Sequence, residues 1–398
     1  MNIHFYILTS FPYGMAAAKR ILCYAKGLMA ECDNVDIVIS RKCFNEDDIS
    51  FPKKGIYQDI PYNYIRGKYK NKNKLIQKLD WYLFDILYGF LYALKNVKKG
   101  DVVYFYFYNN LFEFLLLQVC KLKGAKSVRE VCEHPLALGR STLWHRICCW
   151  CEFNFLFPLF DAFIPISREL DKFICKYKKK KAQHLIVPIL VKDDVIKFDV
   201  SKYLNQYDVP YIIHTGTMLE KKDSISKILE AFAIYKKDNK NNCRLVFTGP
   251  QANESCSYIP MMEKLNIRAY VDLLGIVSME KVAVLQYYAA LTIIYKSDNL
   301  QTRNCFPTKL GEMLLSGVPV ITTTIGDANL YLKDGESAFI IEENDQKALV
   351  TRMKQLLSDS ELNNKIGKAG RNVAIKEFDY IYQGKRLSKF IHGLFVKD

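Results

Sequence analysis

The sequence predicts an α/β protein built from two doubly wound, Rossmann-like domains in tandem. Short runs rich in β-branched and aromatic residues alternate with longer runs of helical period, which is typical of parallel sheets with helices between the strands. The alternation occurs twice, and an irregular, more polar stretch at residues 185–210 separates the two blocks. With 398 residues, half of them hydrophobic, the chain can bury two cores of ordinary size. We predict an N-terminal domain over 1–195, a C-terminal domain over 196–378, and a helix at 379–398 that packs back on the first domain.

The first block alternates strands and helices as follows. Its predicted strands are IHFYILTS, VDIVIS, DVVYFYF, KSVREVC and AFIPIS. Its predicted helices are Ala16 to Ala30, a basic amphipathic stretch from about Lys68 to Lys95, and Asn110 to Lys123.

The second block repeats the scheme. Its predicted strands are PYIIHTG, CRLVFTG, AYVDLLG, LTIIYK, GVPVITT and SAFIIE. Its predicted helices start at Ser226, Tyr258, Ser278, Pro307 and Asp345, and the segment YIYQGKRLSKFIHGLFV at the end of the chain is again helical.

The composition narrows the class of protein and its compartment. A formal net charge of +15 and a pI near 9.1 predict attraction to anions, which include nucleotides, nucleic acid and anionic membranes. The twelve cysteines lack paired CxxC spacing, so we predict reduced thiols and no zinc site. The start MNIHFYILTSFPYG leads directly into a strand, so we expect no export signal and a cytoplasmic protein. The apolar stretches 81–94 and 147–166 are too short and too interrupted by charge, respectively, to predict membrane spans.

The segment NCFPTKLGEMLLSGVPVITTT joins a helix that starts at a proline to an apolar strand. Pro307 suits the first helical position, where its missing N–H would be unpaired anyway. The amides of Thr308, Lys309 and Leu310 then have no intrahelical acceptor, and the helix dipole adds positive charge, so this end favours phosphate. Glu312, a turn further on, can accept hydrogen bonds from vicinal hydroxyls. The alternative is that Glu312 only balances the dipole or pairs with Lys309.

The segment YIIHTGTMLEKKDSISKILEAF reads as strand, glycine turn, basic loop and helix. This order places Gly216 and Thr217 at the carboxyl end of the sheet, where α/β proteins bind ligands, and lets Lys222 reach the same crevice. Gly249 and Gly275 follow the next two strands and leave open backbone where a flat base could lie. Taken alone, each of these two is more simply a turn glycine.

The first domain offers a matching element in TSFPYGMAAAKRILCYAKGL. A strand leads through a glycine turn into a helix that begins with small residues, so the amides of Gly14, Met15 and Ala16 can approach a ligand. The spacing is not the GxGxxG pattern of dinucleotide-binding proteins, and alone it is a weak signal.

Together and in this order, these elements resemble the family 4 glycosyltransferases of the GT-B fold, over essentially the whole chain. The segments that carry the resemblance are FPYGMAAAKRILCYAKGL, EVCEHP, DAFIPISREL, VPILV, HTGTMLEKKDSISKILEAF, FPTKLGEMLLSGVPVITTTIGD and YLKDGESAFII. Bacterial transferases that build surface polysaccharide are the most similar members. The resemblance implies two Rossmann-like domains that face each other across a cleft, with the nucleotide-sugar donor on the C-terminal domain and a glycan or lipid-linked acceptor on the N-terminal domain. It also implies a retaining reaction without an obligatory metal.

The resemblance assigns roles to the C-terminal segments residue by residue. Glu312 matches the glutamate that holds the nucleotide ribose, and Thr308 and Lys309 match positions whose amides meet the diphosphate. Lys222 matches the basic residue that neutralises the diphosphate. Cationic groups and helix amides would then stabilise the leaving group in place of a metal.

Two departures concern the donor. Thr217 stands where many relatives place an arginine on the phosphates, so one charge is missing, and Lys309, Lys19 or Arg20 could compensate for it. Asn304 stands where relatives have a glutamate that touches the transferred sugar; an amide can donate and accept hydrogen bonds but carries no charge.

A third departure follows the fourth strand, where many relatives carry a histidine near the reacting sugar and this chain reads CEHP. We align Glu133 with that histidine and keep His134 as the alternative. Glu133 could act as a polar group or base toward the acceptor hydroxyl, and a glutamate that caps the next turn is the structural alternative.

The basic stretch RGKYKNKNKLIQKLDWYLFDILYGFLYALKNVKK mixes lysines with apolar and aromatic residues, as suits the interface of an anionic membrane. We therefore predict peripheral association with the inner face of the cytoplasmic membrane, near a lipid-linked acceptor. A nucleic-acid-binding protein is the rival from another class, but the chain shows no zinc finger or RNA-recognition signature. A catalytically silent subunit with the same nucleotide site, or a sugar epimerase, is the other alternative.

Overall fold

The computed structural model describes residues 1–14, 16–138, 142–193, 207–238, 242–249 and 255–396. The chain forms two compact units, one made of Met1–Leu190 with Tyr380–Asp398 and the other of Val191–Asp379. The predicted boundary after residue 195 falls outside the described residues, and the structure ends the first unit at Leu190. Both units are α/β, as the sequence predicts.

The first unit contains an eight-stranded sheet. Its strands are β1 Asn2–Ile7, β2 Asn34–Ile39, β3 Lys54–Tyr57, β4 Ile60–Tyr64, β5 Val102–Tyr106, β6 Lys126–Val131, β7 Ala162–Pro165 and β8 Gln183–His184. They lie in the order β3-β4-β2-β1-β5-β6-β7-β8. Neighbours pair in parallel except in the β3–β4 hairpin, which is antiparallel. The five predicted strands of this block are β1, β2, β5, β6 and β7.

The sequence prediction misses the β3–β4 hairpin. Its turn residues Gln58 and Asp59 have φ of 49° and 73°, the left-handed pair of a two-residue hairpin turn that sequences such as Asn-Gly usually signal. Neither residue gives that signal. Pro61 within β4 hides the strand pattern further, because proline is rare inside sheets.

In the part of the first unit that the structure describes, six α-helices connect these strands. They are α1 Ala16–Ala30, α2 Lys74–Leu79, α3 Ile86–Asn96, α4 Asn110–Lys123, α5 Leu143–Cys151 and α6 Arg168–Cys175. A π-helical turn at Asp80–Asp85 joins α2 to α3, so the basic stretch predicted from Lys68 is helical from Lys74 to Asn96. A second π-helical turn, Glu152–Leu156, extends α5.

The second unit contains a six-stranded parallel sheet in the order β11-β10-β9-β12-β13-β14. Its strands are β9 Tyr211–Thr215, β10 Arg244–Thr248, β11 Val271–Leu273, β12 Leu291–Ile294, β13 Val320–Thr323 and β14 Phe339–Ile341. Every residue of β9, β12 and β13 is buried, because helices cover both faces of the sheet. These are the six strands predicted for the second block.

Nine helices of the second unit lie in the described part of the chain. They are α7 Glu220–Asp223, α8 Ile225–Asp238, α9 Ser255–Lys264, α10 Met279–Tyr287, α11 Leu300–Asn304, α12 Thr308–Leu315, α13 Ala328–Tyr331, α14 Gln346–Ser358 and α15 Ser360–Glu377. Four of these helices, α7, α11, α13 and α15, are not in the prediction. The first three have only four or five residues, which are too few to show a helical period.

The last helix, α16 Tyr380–Gly393, belongs to the first unit and packs against α1. The contact is close because both helices carry a glycine there. A Cβ added at Gly27 would overlap the Tyr380 carbonyl oxygen, and one added at Gly384 would overlap the Gly27 backbone. Across the helices that the structure describes, none is both long enough and apolar enough to cross a membrane.

Candidate functional site

Three glycines lie side by side where β9, β10 and β11 end. The Gly216 amide donates to the Thr248 carbonyl at 3.0 Å, and the Gly249 amide donates to the Gly275 carbonyl at 2.8 Å. Gly249 has φ of 134°, and a Cβ there would overlap the Gly216 carbonyl oxygen, so only glycine fits. These positions therefore present bare backbone at the carboxyl edge of the sheet, where a flat ring can approach closely.

The loop after β9 holds an unusual backbone. Met218 and Ser224 flank α7 with φ of 52° and 40°, a conformation that non-glycine residues seldom adopt. Such residues cost of order 1–3 kcal/mol each and persist where the surrounding structure holds them. Asp223, which is buried, accepts a hydrogen bond from the Thr217 hydroxyl at 3.5 Å. The loop is thus fixed from within.

Asp223 also forms an ion pair with Lys296, which follows β12. The side chains are 3 % and 11 % exposed, respectively, so the pair is largely out of water. Burial opposes the charged carboxylate, but the charge and hydrogen bond of the adjacent Lys296 ammonium, together with other nearby positive groups, lower the pKa of Asp223 below its ordinary value. Neither residue is among those predicted from the sequence. The sequence signal for this pair is the lysine at the end of the apolar strand LTIIYK.

His214 lies inside β9, next to the same cluster. Its Nδ1 donates to the Ile293 carbonyl at 2.9 Å, which leaves Nε2 as an acceptor. Nε2 is buried and has no partner in the described part of the chain. Burial lowers the pKa of His214, so the ring is neutral at pH 7. A Cβ at Gly216 would lie 3.1 Å from Nε2, so the ring reaches the glycine loop.

The segment after Lys296 ties α7 to α11. The Ser297 amide donates to the Lys222 carbonyl at 3.4 Å, and the Asn299 side chain donates to the Lys221 carbonyl at 2.8 Å. Asn299 also caps α11, where its side chain accepts from the amides of residues 301 and 302. The Lys222 loop and the segment that leads to α12 are therefore one connected structure within the second unit.

Asn304 is the last residue of α11. It is 8 % exposed, and its side-chain amide donates to the Leu300 carbonyl at 2.8 Å. The side chain therefore contacts its own helix.

The start of α12 differs from the prediction in two details. Pro307 is the N-cap, with ψ of 98°, and the helix begins at Thr308 rather than at the proline. The Leu310 amide is not unpaired, because it donates to the Pro307 carbonyl at 2.9 Å in a tight first turn. Leu310 is fully buried, so it serves the core. Thr308 is exposed, and the amides of Thr308 and Lys309 belong to the first turn, where an α-helix has no intrahelical acceptor for its amides.

Glu312 and Lys309 form an ion pair on the outer side of α12, with 3.0 Å between Oε2 and Nζ. The side chains are 28 % and 40 % exposed. The pairing that the sequence offers as the alternative role of Glu312 is therefore present. A partly exposed pair of this kind contributes little to stability.

Two predicted residues of the first unit follow β6. Glu133 is half-buried, and its carbonyl accepts from the Tyr108 hydroxyl at 3.2 Å. His134 is buried, its Nδ1 accepts from the Leu136 amide at 3.3 Å, and its ring centre lies 4.3 Å from that of Phe173. Burial lowers the pKa of His134. The residue that caps the next turn is therefore His134 and not Glu133, so His134 has a structural role.

The first unit holds three further residues considered from the sequence, Gly14, Met15 and Arg20. A Cβ on Gly14 would lie 2.9 Å from the Ser10 carbonyl oxygen, so the backbone passes itself closely there. Met15 lies outside the described residues. Arg20, considered above as a substitute phosphate ligand, is buried and donates to Glu130 at 2.9 Å and to the Val187 carbonyl at 2.8 Å. Its guanidinium holds the first unit together, so we withdraw it as a phosphate ligand.

One group of potential metal ligands lies elsewhere in the first unit. Ligand atoms of Asp171, Cys175 and His184 lie within 4.8 Å of one another. Asp171 contacts His184 Nδ1 at 2.5 Å, while Cys175 Sγ lies 3.9 Å from Nε2. The carboxylate and the thiol thus face opposite nitrogens of the ring, which is a hydrogen-bonded row and not a shared cage.

Comparison with known proteins places the chain beside enzymes that transfer sugars. Residues 196–373, within the second unit, match the family model of "Glycosyl transferases group 1". The N-acetyl-alpha-D-glucosaminyl L-malate synthase of Bacillus anthracis is 25 % identical over 186 residues, which is 46 % of each chain. The chain thus spans about half the length of this curated relative.

Solved structures match over nearly the whole chain. Sucrose-phosphate synthase from Thermosynechococcus elongatus has a TM-score of 0.72 with 15 % identity and covers 99 % of both chains. Alr3699/HepE of Anabaena, solved in complex with UDP-glucose, has a TM-score of 0.70 with 13 % identity over 99 % of this chain and 100 % of its own. The chain therefore has the GT-B fold, and its second unit is similar to the group 1 glycosyl transferases.

Proposed function

We propose that the protein transfers a sugar from a nucleotide-diphosphate sugar to a glycan or lipid-linked acceptor, with retention of configuration, in the synthesis of bacterial surface polysaccharide. The observation that carries the proposal is the bare glycine edge of the second unit beside a basic loop and a helix start. The glycine edge suits a flat base, and the basic loop and the helix start suit phosphate. The match of residues 196–373 to group 1 glycosyl transferases supports it.

The donor would lie along the carboxyl edge of the second sheet. In this proposal the base packs on the backbone of Gly216 and Gly249, and Glu312 accepts hydrogen bonds from the ribose hydroxyls. Lys222 and the amides of Thr308 and Lys309 hold the diphosphate. The neighbour Alr3699/HepE was solved with UDP-glucose, which supports a nucleotide-sugar donor.

The groups that bind the diphosphate would also promote the transfer reaction. As the bond between sugar and phosphate breaks, negative charge grows on the leaving diphosphate. Lys222 and the start of α12 would place positive charge next to the leaving diphosphate. Such preorganised groups stabilise a transition state without having to rearrange. We therefore propose that no metal is obligatory. Asn304 would orient the sugar through hydrogen bonds, and Glu133 would be the polar group on the acceptor side.

Donor binding is tested by thermal-shift measurements with a panel of UDP-, GDP- and ADP-sugars. The correct donor raises the Tm, because a ligand at a hundred times its Kd stabilises the folded state by roughly 2.7 kcal/mol. We expect Glu312→Ala and Lys222→Ala each to weaken binding of the nucleoside diphosphate by about tenfold or more, since one removes ribose contacts and the other phosphate charge. Lys221→Ala is the matched control, because Lys221 is an exposed lysine on the same short helix. Unchanged affinity in both site variants would overturn the assignment.

Transfer itself is tested with purified protein, the stabilising donor and a panel of lipid-linked and soluble glycan acceptors. NMR of the product gives the anomeric configuration, and an inverted product contradicts the retaining reaction. The same assay with excess chelator tests whether transfer needs a metal ion. We expect an undiminished rate.

A second candidate is a catalytically silent subunit with the same nucleotide site, or a sugar epimerase. Thr217 and Asn304 favour it, because both stand where the resemblance has charged residues that contact the donor. This candidate predicts donor binding without transfer to any acceptor, whereas epimerisation would change the sugar of the recovered donor.

We also propose that the protein is cytoplasmic and associates with the inner face of the membrane, where a lipid-linked acceptor would lie. The net charge of +15 supports this, because an anionic leaflet attracts a basic protein.

A further inference from the structure

Large apolar side chains stand exposed on consecutive helices of the first unit. We call them the exposed apolar face, which consists of Leu75, Ile76, Leu79, Tyr82, Leu83, Phe84, Leu87, Tyr88, Leu91, Leu111, Phe114, Leu122, Leu143, Trp144, Ile147, Trp150 and Phe155. Leu143 and Trp144 are 75 % and 73 % exposed, respectively. Single exposed apolar residues are ordinary, but a cluster of this size marks an interaction surface.

The helices that carry the face are packed side by side. α3 packs against α4, and α4 contacts the π-helical turn that extends α5. The Asn110 side chain, at the start of α4, donates to the Cys148 carbonyl of α5 at 2.7 Å. The Trp150 and Phe155 rings lie 5.3 Å apart across the end of α5. The face is therefore one layer and not a set of scattered patches.

The acidic residues of this layer all point inward. On α2 to α5 and their two π-helical turns, the carboxylates are those of Asp80, Asp85, Glu113 and Glu152. Arg66 pairs with the first two at 2.9 Å each, and Arg129 pairs with the other two at 3.0 Å each. These four side chains are 13 % exposed or less.

The exposed charges of the same elements are positive. They are Lys74, Lys78, Lys95, Lys121, Lys123 and Arg146. Acidic groups hidden inward and basic groups directed outward give the face a single sign of charge around an apolar and aromatic centre. Long basic side chains next to tryptophan and tyrosine suit the boundary between lipid headgroups and acyl chains.

We propose that the exposed apolar face is a bilayer-insertion surface, with Trp144 and Trp150 entering the headgroup region of an anionic membrane. The inference deepens the membrane association under the proposed function, because it assigns the contact to side chains of α5 as well as to the basic stretch 66–99. A second copy of the chain is the competing occupant. A two-fold dimer would place this face against itself, and its like charges would then repel.

The experiment is vesicle flotation of the full chain. Vesicles of equal parts phosphatidylglycerol and phosphatidylcholine are compared with pure phosphatidylcholine at low and high salt. We expect binding to the anionic vesicles that weakens with salt. The double variant Trp144→Ser/Trp150→Ser should reduce partitioning by about tenfold or more, since it removes two large apolar side chains from the contact. Ile276→Ser is the matched control, because Ile276 is an 80 % exposed apolar residue of the second unit.

Insertion is read separately with brominated phosphatidylcholine in the anionic vesicles. Trp144 and Trp150 are two of the three tryptophans, so we expect strong quenching of intrinsic fluorescence in the wild type and its loss in the double variant. Binding without quenching, or unchanged binding of the double variant, would show attraction by charge alone and overturn the proposal. A dimer in sedimentation velocity that the double variant dissolves, with no vesicle binding, would assign the face to a second copy and also overturn it.

The readout is independent of sugar transfer. The Tm shift with the donor is measured in solution on the same double variant, and we expect it unchanged because the substitutions lie in the first unit. A protein that floats with vesicles but is stabilised by no nucleotide sugar would reject the proposed function and leave the insertion surface standing. A protein that is stabilised by a nucleotide sugar but does not float with vesicles would reject only the insertion surface.

Discussion

Replacement of Asp223 by alanine should destabilise the second unit strongly. The substitution leaves the Lys296 ammonium, 11 % exposed, without its counter-ion. Removal of one partner of a buried ion pair costs roughly 3–5 kcal/mol, because the remaining charge stays out of water. For a unit the size of Val191–Asp379, each kcal/mol lowers the Tm by roughly 2–4 °C, so we expect a drop of about 6–20 °C.

The assay is differential scanning fluorimetry at neutral pH, read as a complete double-mutant cycle. Lys296→Met is the second single variant, and the double variant removes both charges. We expect the double variant to recover most of the lost stability, since a buried ion pair can be replaced by apolar groups at little net loss. Asp238→Ala is the matched control. Asp238 pairs with Lys354 at 2.6 Å on the surface, and we expect no measurable change there.

A Tm of Asp223→Ala equal to that of Asp238→Ala would contradict the expected cost of the unpaired Lys296 charge. A double variant as unstable as Asp223→Ala would contradict it as well, because the loss could not then arise from an uncompensated charge on Lys296. A nucleotide titration of Lys296→Met adds a functional readout. The pair fixes the loop that carries Thr217, so we expect weaker donor binding in that variant.

Three further outcomes are expected. Burial and the nearby carboxylate of Glu113 raise the pKa of Glu152 from 4.5 to about 8, so its contribution to stability is present below pH 4.5 and lost as the pH rises through 8. Glu152→Gln should therefore gain in Tm over the wild type as the pH rises across that window, which a pH series of melting curves measures. Burial lowers the pKa of His134, so its contribution is present above about pH 6.5 and lost as the pH falls; His134→Gln should flatten the loss of Tm below pH 6.5. Gly27→Ala should cost about 1–3 kcal/mol in denaturant unfolding, because its methyl group overlaps the Tyr380 carbonyl; no loss would show that α16 shifts freely on α1.

The alternation of strands and helices could be predicted because it rests on local patterns. The bounds of α1 and α4 agree with the prediction, since each helix has a regular apolar period. The hairpin β3–β4 could not, because Gln58 and Asp59 adopt a turn that their sequence does not signal. A turn that is stabilised by tertiary contacts cannot be predicted from the local preferences of its two residues.

The candidate site shows the same division. The glycines after β9, β10 and β11 could be predicted because the carboxyl ends of parallel strands meet at one edge. The Asp223–Lys296 pair could not, since the two residues are far apart in sequence and only the sheet order brings them together. Arg20 shows the converse error. The positive charge of Arg20 suggested a phosphate ligand, whereas in the structure its guanidinium donates to Glu130.

The position of α16 means that the second unit is an insertion within the first. A gene truncated after residue 190 would encode the first unit without the helix that covers α1, and the glycine-lined contact at Gly27 would be open to solvent. Separate expression of the first unit would require Tyr380–Asp398 to be joined after Leu190 by a linker, whereas Val191–Asp379 can be excised as one continuous segment. During synthesis the first unit cannot complete its packing until Tyr380–Asp398 has left the ribosome, so the second unit has all of its residues earlier than the first.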